Sequence, residues 1–344
     1  MLLQRSMFSR GKERLCISVK SNVWNLLGSR CLHSNAPGRT RKILFCGTDF
    51  SAGAKLVRDV LSKTPEGSRW EVHTCQNEEV DAKIVDCDVA CPLMSKFPRE
   101  RIKLGAEKGN LRLIYQYGAG IEGVDAVSAR ELGVAVANIP AGSGNGVSTA
   151  EHAVYLLLGL LRQQSMMEKE LQNRVLGSPL GYAMKGKSVV ILGFGSIGKA
   201  LAKRLKPFEV EITGVRNGKW SEEDLSIVDK TATHGEGLDK ALESAHALIV
   251  CCPLNSQTRE LVNSDFIDKA RKGLMVINVA RGPVCSLDAI TSGLSSGQLG
   301  GFATDVFWRE PFLSLSEDPS RLMDGVGNIV MTPFETSGRR RING

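Results

Sequence analysis

The run Val189-Val190-Ile191-Leu192-Gly193-Phe194-Gly195-Ser196-Ile197-Gly198 narrows the fold of this chain more than any other stretch. Four apolar residues, three of them β-branched, read as a buried strand, and the glycines that follow open a helix over 199–206. Each glycine has its own task. Gly193 permits a tight turn, Gly195 lets the backbone approach a bound pyrophosphate, and Gly198 lets helix and strand pack closely. Ser196 and Ile197 lie between the second and third glycines, just ahead of the helix, whose unpaired N–H groups suit an anion. A bare Gly-x-Gly-x-x-Gly is often a plain turn; the strand before it and the helix after it make this one a dinucleotide site.

Around this motif the chain alternates short apolar runs with amphipathic stretches. Residues 43–46, 70–73, 87–93, 111–116 and 134–138 read as one series of strands, and 188–193, 211–215, 246–252, 275–280, 301–306 and 328–331 as a second, with helices between. An apolar helix from about Thr149 to Arg162 separates the two series and is expected to bridge two domains. The expected class is α/β: two doubly wound parallel sheets, a Rossmann cofactor domain over 149–333 set into a flavodoxin-like substrate domain over 42–148. At 344 residues with 42% hydrophobic side chains, the chain is long enough for two cores.

The end of the second strand of the cofactor domain bears on which dinucleotide is bound. A carboxylate there would bind the ribose 2′-hydroxyl of NAD and repel a 2′-phosphate. Here the residues are Gly214-Val215-Arg216-Asn217. The Arg216 guanidinium either pairs with the 2′-phosphate of NADP or is a solvated surface arginine, so NADP is slightly favoured over NAD and the choice stays open.

The formal charge of +7 would suggest a nucleic-acid partner were it spread over the surface, but it is concentrated. Residues 1–42 hold nine Lys/Arg and one acid, Glu13, leaving a nearly neutral body that argues against nucleic-acid binding. The basic, serine-rich start over 1–41 reads as an organelle transit peptide, with Arg30-Cys31-Leu32-His33-Ser34 favouring a mitochondrial address over a chloroplast one; a disordered basic arm is the alternative. No apolar run is long enough for a membrane span. Nine cysteines and five histidines lack the spacing of a metal site, and buried reduced thiols are the expected state.

Beyond the glycine motif, further segments carry a likeness to a known family. They are 117–125 (Tyr-Gly-Ala-Gly-Ile-Glu-Gly-Val-Asp), 150–153 (Ala-Glu-His-Ala), Cys252-Pro253-Leu254-Asn255 with Thr258, Asn278-Val279-Ala280-Arg281-Gly282 and 305–311 (Asp-Val-Phe-Trp-Arg-Glu-Pro). In this order they resemble the D-isomer-specific 2-hydroxyacid dehydrogenases, in particular the phosphoglycerate-dehydrogenase-like members. The resemblance implies an NAD(P)-dependent oxidoreductase acting on the CH–OH group of a small 2-hydroxy acid, built as a homodimer.

It also implies roles for single residues. Arg281, after a strand at the carboxyl end of the sheet, would hold the substrate carboxylate and polarise the forming carbonyl. Glu310 would orient a catalytic histidine. Gly118, Ala119 and Gly120 would meet the substrate carboxylate through backbone N–H groups. Cys252, Pro253, Thr258, Val279, Ala280 and Asp305 would line the cofactor, with Asp305 on the nicotinamide side.

One position departs from the pattern. The family has a histidine directly after Thr-Pro, and here Thr332-Pro333 is followed by Phe334, which cannot exchange a proton. Residues 334–344 read as a divergent remnant of the family's C-terminal segment, the chain being either a natural protein that lost the chemistry or a truncated product. The expected function is accordingly an impaired 2-hydroxyacid dehydrogenase, with a non-catalytic NAD(P)H-binding interaction protein as the alternative.

Overall fold

The computed structural model describes residues 17–18, 39–47, 51–92, 95–116, 118, 120–139, 145–310 and 327–332. The leader features at 1–16 and 19–38, Ala119, and the remnant at 334–344 lie outside the described residues. The chain divides into two compact units, Met1–Pro140 and Ala141–Gly344.

In the first unit the strands are β1 (Ile17–Ser18), β2 (Arg41–Gly47), β3 (Trp70–Gln76), β4 (Val89–Pro92), β5 (Leu113–Gln116) and β6 (Ala135–Asn138). Its helices are α1 (Ser51–Leu61), α2 (Val80–Lys83), α3 (Arg99–Glu107) and α4 (Ala126–Glu131). The strands form one parallel sheet in the order β1-β6-β5-β4-β2-β3. Counted from β2, this is the flavodoxin-like order 2-1-3-4-5. Successive side chains of β2 point to opposite faces: Leu44 and Cys46 enter one buried cluster, Ile43 and Phe45 the other. A strand covered on both faces is apolar throughout, which is why it read as an unbroken run. The strand starts at Arg41, and Arg39 already pairs with Asp88 at 2.9 Å. Ile17–Ser18, inside the stretch expected as leader, pairs in parallel with β6.

The second unit holds the helices α5 (Asn145–Leu161), α6 (Gln164–Gln172), α7 (Ser196–Leu205), α8 (Glu222–Ser226), α9 (Glu236–Leu242), α10 (Ser264–Asp268) and α11 (Leu287–Ser296). Its strands are β7 (Ser188–Leu192), β8 (Glu211–Val215), β9 (Lys230–Ala232), β10 (Ala247–Val250), β11 (Leu274–Asn278), β12 (Leu299–Thr304) and β13 (Ile329–Met331). The parallel sheet runs β13-β12-β11-β10-β7-β8-β9. Counted from β7 that is 3-2-1-4-5-6 with a seventh strand added, the Rossmann arrangement. Val190 and Leu192 pack into one core, Val189 and Ile191 into the other.

Two details differ from the sequence reading. The helix expected from Thr149 begins at Asn145 and packs on α7 in the second unit, so the division falls at 140 rather than 148. Gly146, in the first turn of this helix, is buried at ordinary van der Waals distance from Ser196 of α7. The strand β9 was not anticipated, because Lys230 and Thr231 are exposed at the sheet edge and carry no apolar alternation.

Among the described residues, seven cysteines are unpaired and all but Cys251 are buried. No described helix is long and apolar enough to cross a membrane.

Candidate functional site

The carboxyl end of β7 carries the glycine loop, between the diverging neighbours β8 and β10. Gly193 has φ +102°, and a Cβ there would lie 2.5 Å from the Cys252 backbone nitrogen. The N–H groups of Gly193 and Phe194 both donate to the Val215 carbonyl, at 3.1 and 3.0 Å. Gly198 is equally confined, since its Cβ would come within 2.6 Å of the Gly193 oxygen. Gly195 behaves differently: it caps α7, is exposed, and a Cβ on it would meet no atom within 4 Å. Two glycines therefore serve protein packing and the middle one opens onto free space. Beside it, Ser196 and Ile197 begin a ten-residue helix whose first N–H groups lack intrahelical partners. This cradle fits a pyrophosphate.

Next to the loop lies a cleft of about 680 Å³ whose walls include Gly193, Arg216, Cys252, Pro253 and Thr258. The Thr258 hydroxyl donates to the Pro253 carbonyl at 2.6 Å and accepts from the Asn255 N–H at 2.8 Å, bracing that wall. Arg216 leaves the end of β8 with its guanidinium 4.5 Å from the Trp220 ring centre, and donates to Asp224 at 2.9 Å. Lys199, from α7, reaches the other oxygen of Asp224 at 2.6 Å. Burial works to raise the Asp224 pKa, but the hydrogen bonds from Lys199 and Ser221 outweigh it and bring the group down to about 2. Arg216 is thus a cation held in place by a buried carboxylate at the edge of the cleft, and not a freely solvated side chain.

Farther along the same sheet edge, the loop after β11 carries Val279, Ala280 and Arg281. Fully buried Asn278 shapes it, donating through Nδ2 to the Arg281 carbonyl at 2.9 Å and accepting through Oδ1 from the Ala280 N–H at 3.0 Å. Val279 and Ala280 are buried behind the turn, and the Arg281 guanidinium donates to the Ala280 carbonyl at 2.7 Å. After β12, Glu310 folds back so that its Oε1 accepts from the Phe307 N–H at 2.6 Å. Burial raises the Glu310 pKa, Asp305 adding to the rise, while the Phe307 N–H and the nearby Arg281 work against it. Arg281 and Glu310 are therefore electrostatic neighbours in one unit.

Asp305 is 1% exposed and accepts from the Thr332 hydroxyl at 2.6 Å. The Nε2 of His152, on α5, lies 2.7 Å from that hydroxyl and 3.4 Å from Asp305 Oδ1. In the first unit, Gly118 follows β5 and its carbonyl accepts from the Ile139 N–H at 3.1 Å, linking the loops after β5 and β6; Gly120 is half-buried close by.

The described cofactor residues come together around the carboxyl end of the second sheet, and Arg281, Glu310 and Asp305 gather there too. Phe334 and Pro311 lie outside the described residues. Sequence reasoning missed Asp224, Asn278, Thr332 and His152 as site residues. His152 had been noted within its motif but not with a partner, because nothing in the sequence pairs it with a threonine 180 positions away.

Among the described residues, no group of three His, Cys, Asp or Glu could hold a metal ion. Comparison with known proteins adds a lineage. Residues 154–335, just over half of the chain, match the family profile described as D-isomer specific 2-hydroxyacid dehydrogenase, NAD binding domain. The chain is 35% identical over 204 residues to glyoxylate reductase 1 of Saccharomyces cerevisiae, covering 57% of each. It is 30% identical over 320 residues to the chloroplastic D-3-phosphoglycerate dehydrogenase 2 of Arabidopsis thaliana, covering 92% of this chain and 48% of the relative. The chain thus spans about half the length of these two relatives. Among solved structures, a Granulicella formate dehydrogenase has the same fold, with a TM-score of 0.74 at 22% identity over 87% of this chain and 89% of that one.

Proposed function

The chain belongs to the D-isomer specific 2-hydroxyacid dehydrogenase family, with an NAD-binding second unit, and on that premise we propose that it is an oxidoreductase interconverting a small 2-hydroxy acid and its 2-oxo acid, impaired by Phe334. The observation that carries this reading is the meeting of the segments that bear Arg281 and Glu310, where a Cβ on Gly282 would stand 2.1 Å from the Phe307 carbonyl oxygen, since binding a nucleotide alone requires neither residue. When bound, the nicotinamide supplies or accepts the hydride. The fixed guanidinium of Arg281 suits a substrate carboxylate and the charge that develops on the carbonyl oxygen. Glu310, with its raised pKa, is suited to orient an imidazole at position 334, and a phenyl ring there accepts no proton. Loss of a general base lowers a rate by roughly 10² to 10⁴.

A second reading, a non-catalytic NAD(P)H-binding interaction protein, is favoured by Phe334 itself. For the cofactor, Arg216 at the cleft edge supports NADP slightly over NAD. The exposed apolar side chains Tyr155, Met166, Met167, Leu171, Leu176 and Leu180 all fall within residues 155–180, which supports a homodimer. The basic, serine-rich start supports a mitochondrial or chloroplast address.

The test compares the full chain with Phe334→His, assaying NADH- and NADPH-dependent reduction of glyoxylate, hydroxypyruvate and pyruvate, with cofactor binding measured separately. If both bind cofactor and only the histidine form turns over, the chain is a disabled dehydrogenase. Equal turnover would mean that another residue supplies the proton. Binding without turnover in either form would favour the interaction protein.

A further inference from the structure

Three polar groups from distant parts of the second unit form one hydrogen-bonded chain at the carboxyl end of its sheet. The Thr332 hydroxyl has a single proton and gives it to Asp305 Oδ1 at 2.6 Å. His152 Nε2, at 2.7 Å from the same oxygen, must then be the donor, which fixes the proton on Nε2. The order is His152 Nε2–H to Thr332, then Thr332 O–H to Asp305. The side chains of His152 and Asp305 are 13% and 1% exposed, and Thr332 between them is half-buried.

The imidazole is mounted on a rigid element. Glu151, its chain neighbour, pairs with Arg204 of α7 at 2.8 Å, and the carbonyl of Leu160, two turns on, accepts from Asn328 just before β13 at 2.8 Å. Tyr155 flanks the imidazole, ring centres 5.5 Å apart. Thr332 is the residue at which the chain leaves β13 towards position 334, and Asp305 is the residue at which it leaves β12 towards Glu310.

We propose that His152 is a positioning residue of the redox site: through Thr332 it holds the Asp305 carboxylate, which the family likeness puts on the nicotinamide side of the cofactor. This role rests on the nucleotide-binding reading given above. It requires that the bond matter to the nicotinamide end of the cofactor and not to the adenosine end, which is carried by the glycine loop and the cleft at Arg216.

The test uses the full chain, His152→Ala and His152→Gln, the glutamine offering an N–H donor of similar reach. Affinities for NADH and for ADP-ribose, which lacks the nicotinamide, are measured by fluorescence and calorimetry. The expected result is about a tenfold loss for NADH in His152→Ala, equivalent to one hydrogen bond, with ADP-ribose unchanged and the glutamine form restored. Equal losses for both ligands, or none for either, would overturn the proposal by showing a purely structural or a dispensable bond. Imidazole ¹⁵N spectra of the unliganded chain supply the second readout: a protected Nε2–H that disappears in Thr332→Val supports the chain of bonds, and its absence from the unsubstituted protein overturns it. Failure to bind either ligand would remove the nucleotide-binding reading, and with it this role, even where the imidazole resonance is as expected.

Discussion

A Cβ on Gly282 would stand 2.1 Å from the Phe307 carbonyl oxygen. The turn behind Arg281 and the segment ahead of Glu310 are therefore in backbone contact, and no side chain larger than hydrogen fits between them. Gly282→Ala is expected to lower stability by about 1–3 kcal/mol, the usual range for forced overpacking. Its relief would have to come from separating the two segments, so turnover in the Phe334→His background should fall further than the melting temperature implies. Chemical denaturation and steady-state kinetics of the same preparation check both.

The glycine loop allows a sharper contrast. Gly193→Ala combines a positive φ with a 2.5 Å approach to the Cys252 backbone, and should destabilise the fold measurably. Gly195→Ala has an extended backbone and open space, so the melting temperature should stay within a degree or so of the parent. NADH affinity in Gly195→Ala should nonetheless fall about tenfold or more, because the new methyl occupies the space offered to the pyrophosphate. Unchanged affinity would show that the dinucleotide does not pass over this loop.

Glu310 gives a pH signature. Its folded pKa is raised by burial, so the folded state binds the proton more tightly than the unfolded state. Stability from this group is complete below the unfolded carboxylate range and is lost as pH rises through the folded value. Glu310→Gln keeps an acceptor for the Phe307 N–H and removes the buried charge. At pH 7 it should melt above the parent, and the difference should close as pH falls through the carboxylate range. A difference that grew on acidification would reverse the sign.

Asp224 has the opposite sign. Lys199 and Ser221 bring its pKa down to about 2 against the opposing effect of burial. The stability it adds is present above the unfolded value and disappears as pH drops towards 2. Asp224→Asn should therefore be less stable than the parent at neutral pH and approach it in acid, as thermal melts across that range would show. The substitution also frees Arg216, so the ratio of NADPH to NADH affinity should move in the same variant.

How much of this was legible in the sequence depended on what each residue packs against. Val189–Leu192 form an unbroken apolar run because both faces of β7 are covered, and that run with its glycines was enough for the fold and the cofactor cradle. Arg281 drew attention by following a strand at the sheet's carboxyl end, whereas the roles expected of Glu310 and Asp305 came from the likeness of 305–311 to the family's segment. β9 was not, since an exposed edge strand of three residues has no periodicity to read. Asp224 was not singled out, because its value lies in Lys199 and Arg216, contributed by other elements. His152 and Thr332 meet only because α5 crosses beside the end of β13, a relation between elements and not between positions.

Asn278 adds a consequence for any measurement made on this site. The backbone on either side of the Arg281 turn is fastened by a carboxamide, which neither gains nor loses a proton anywhere in the working range of an enzyme. The scaffold beneath the guanidinium is thus indifferent to acidity, whereas the carboxylates around it are not. A rate that varies with pH would not be reporting the release of this carboxamide fastening, so the dependence is to be sought in the carboxylates around the turn, Glu310 among them.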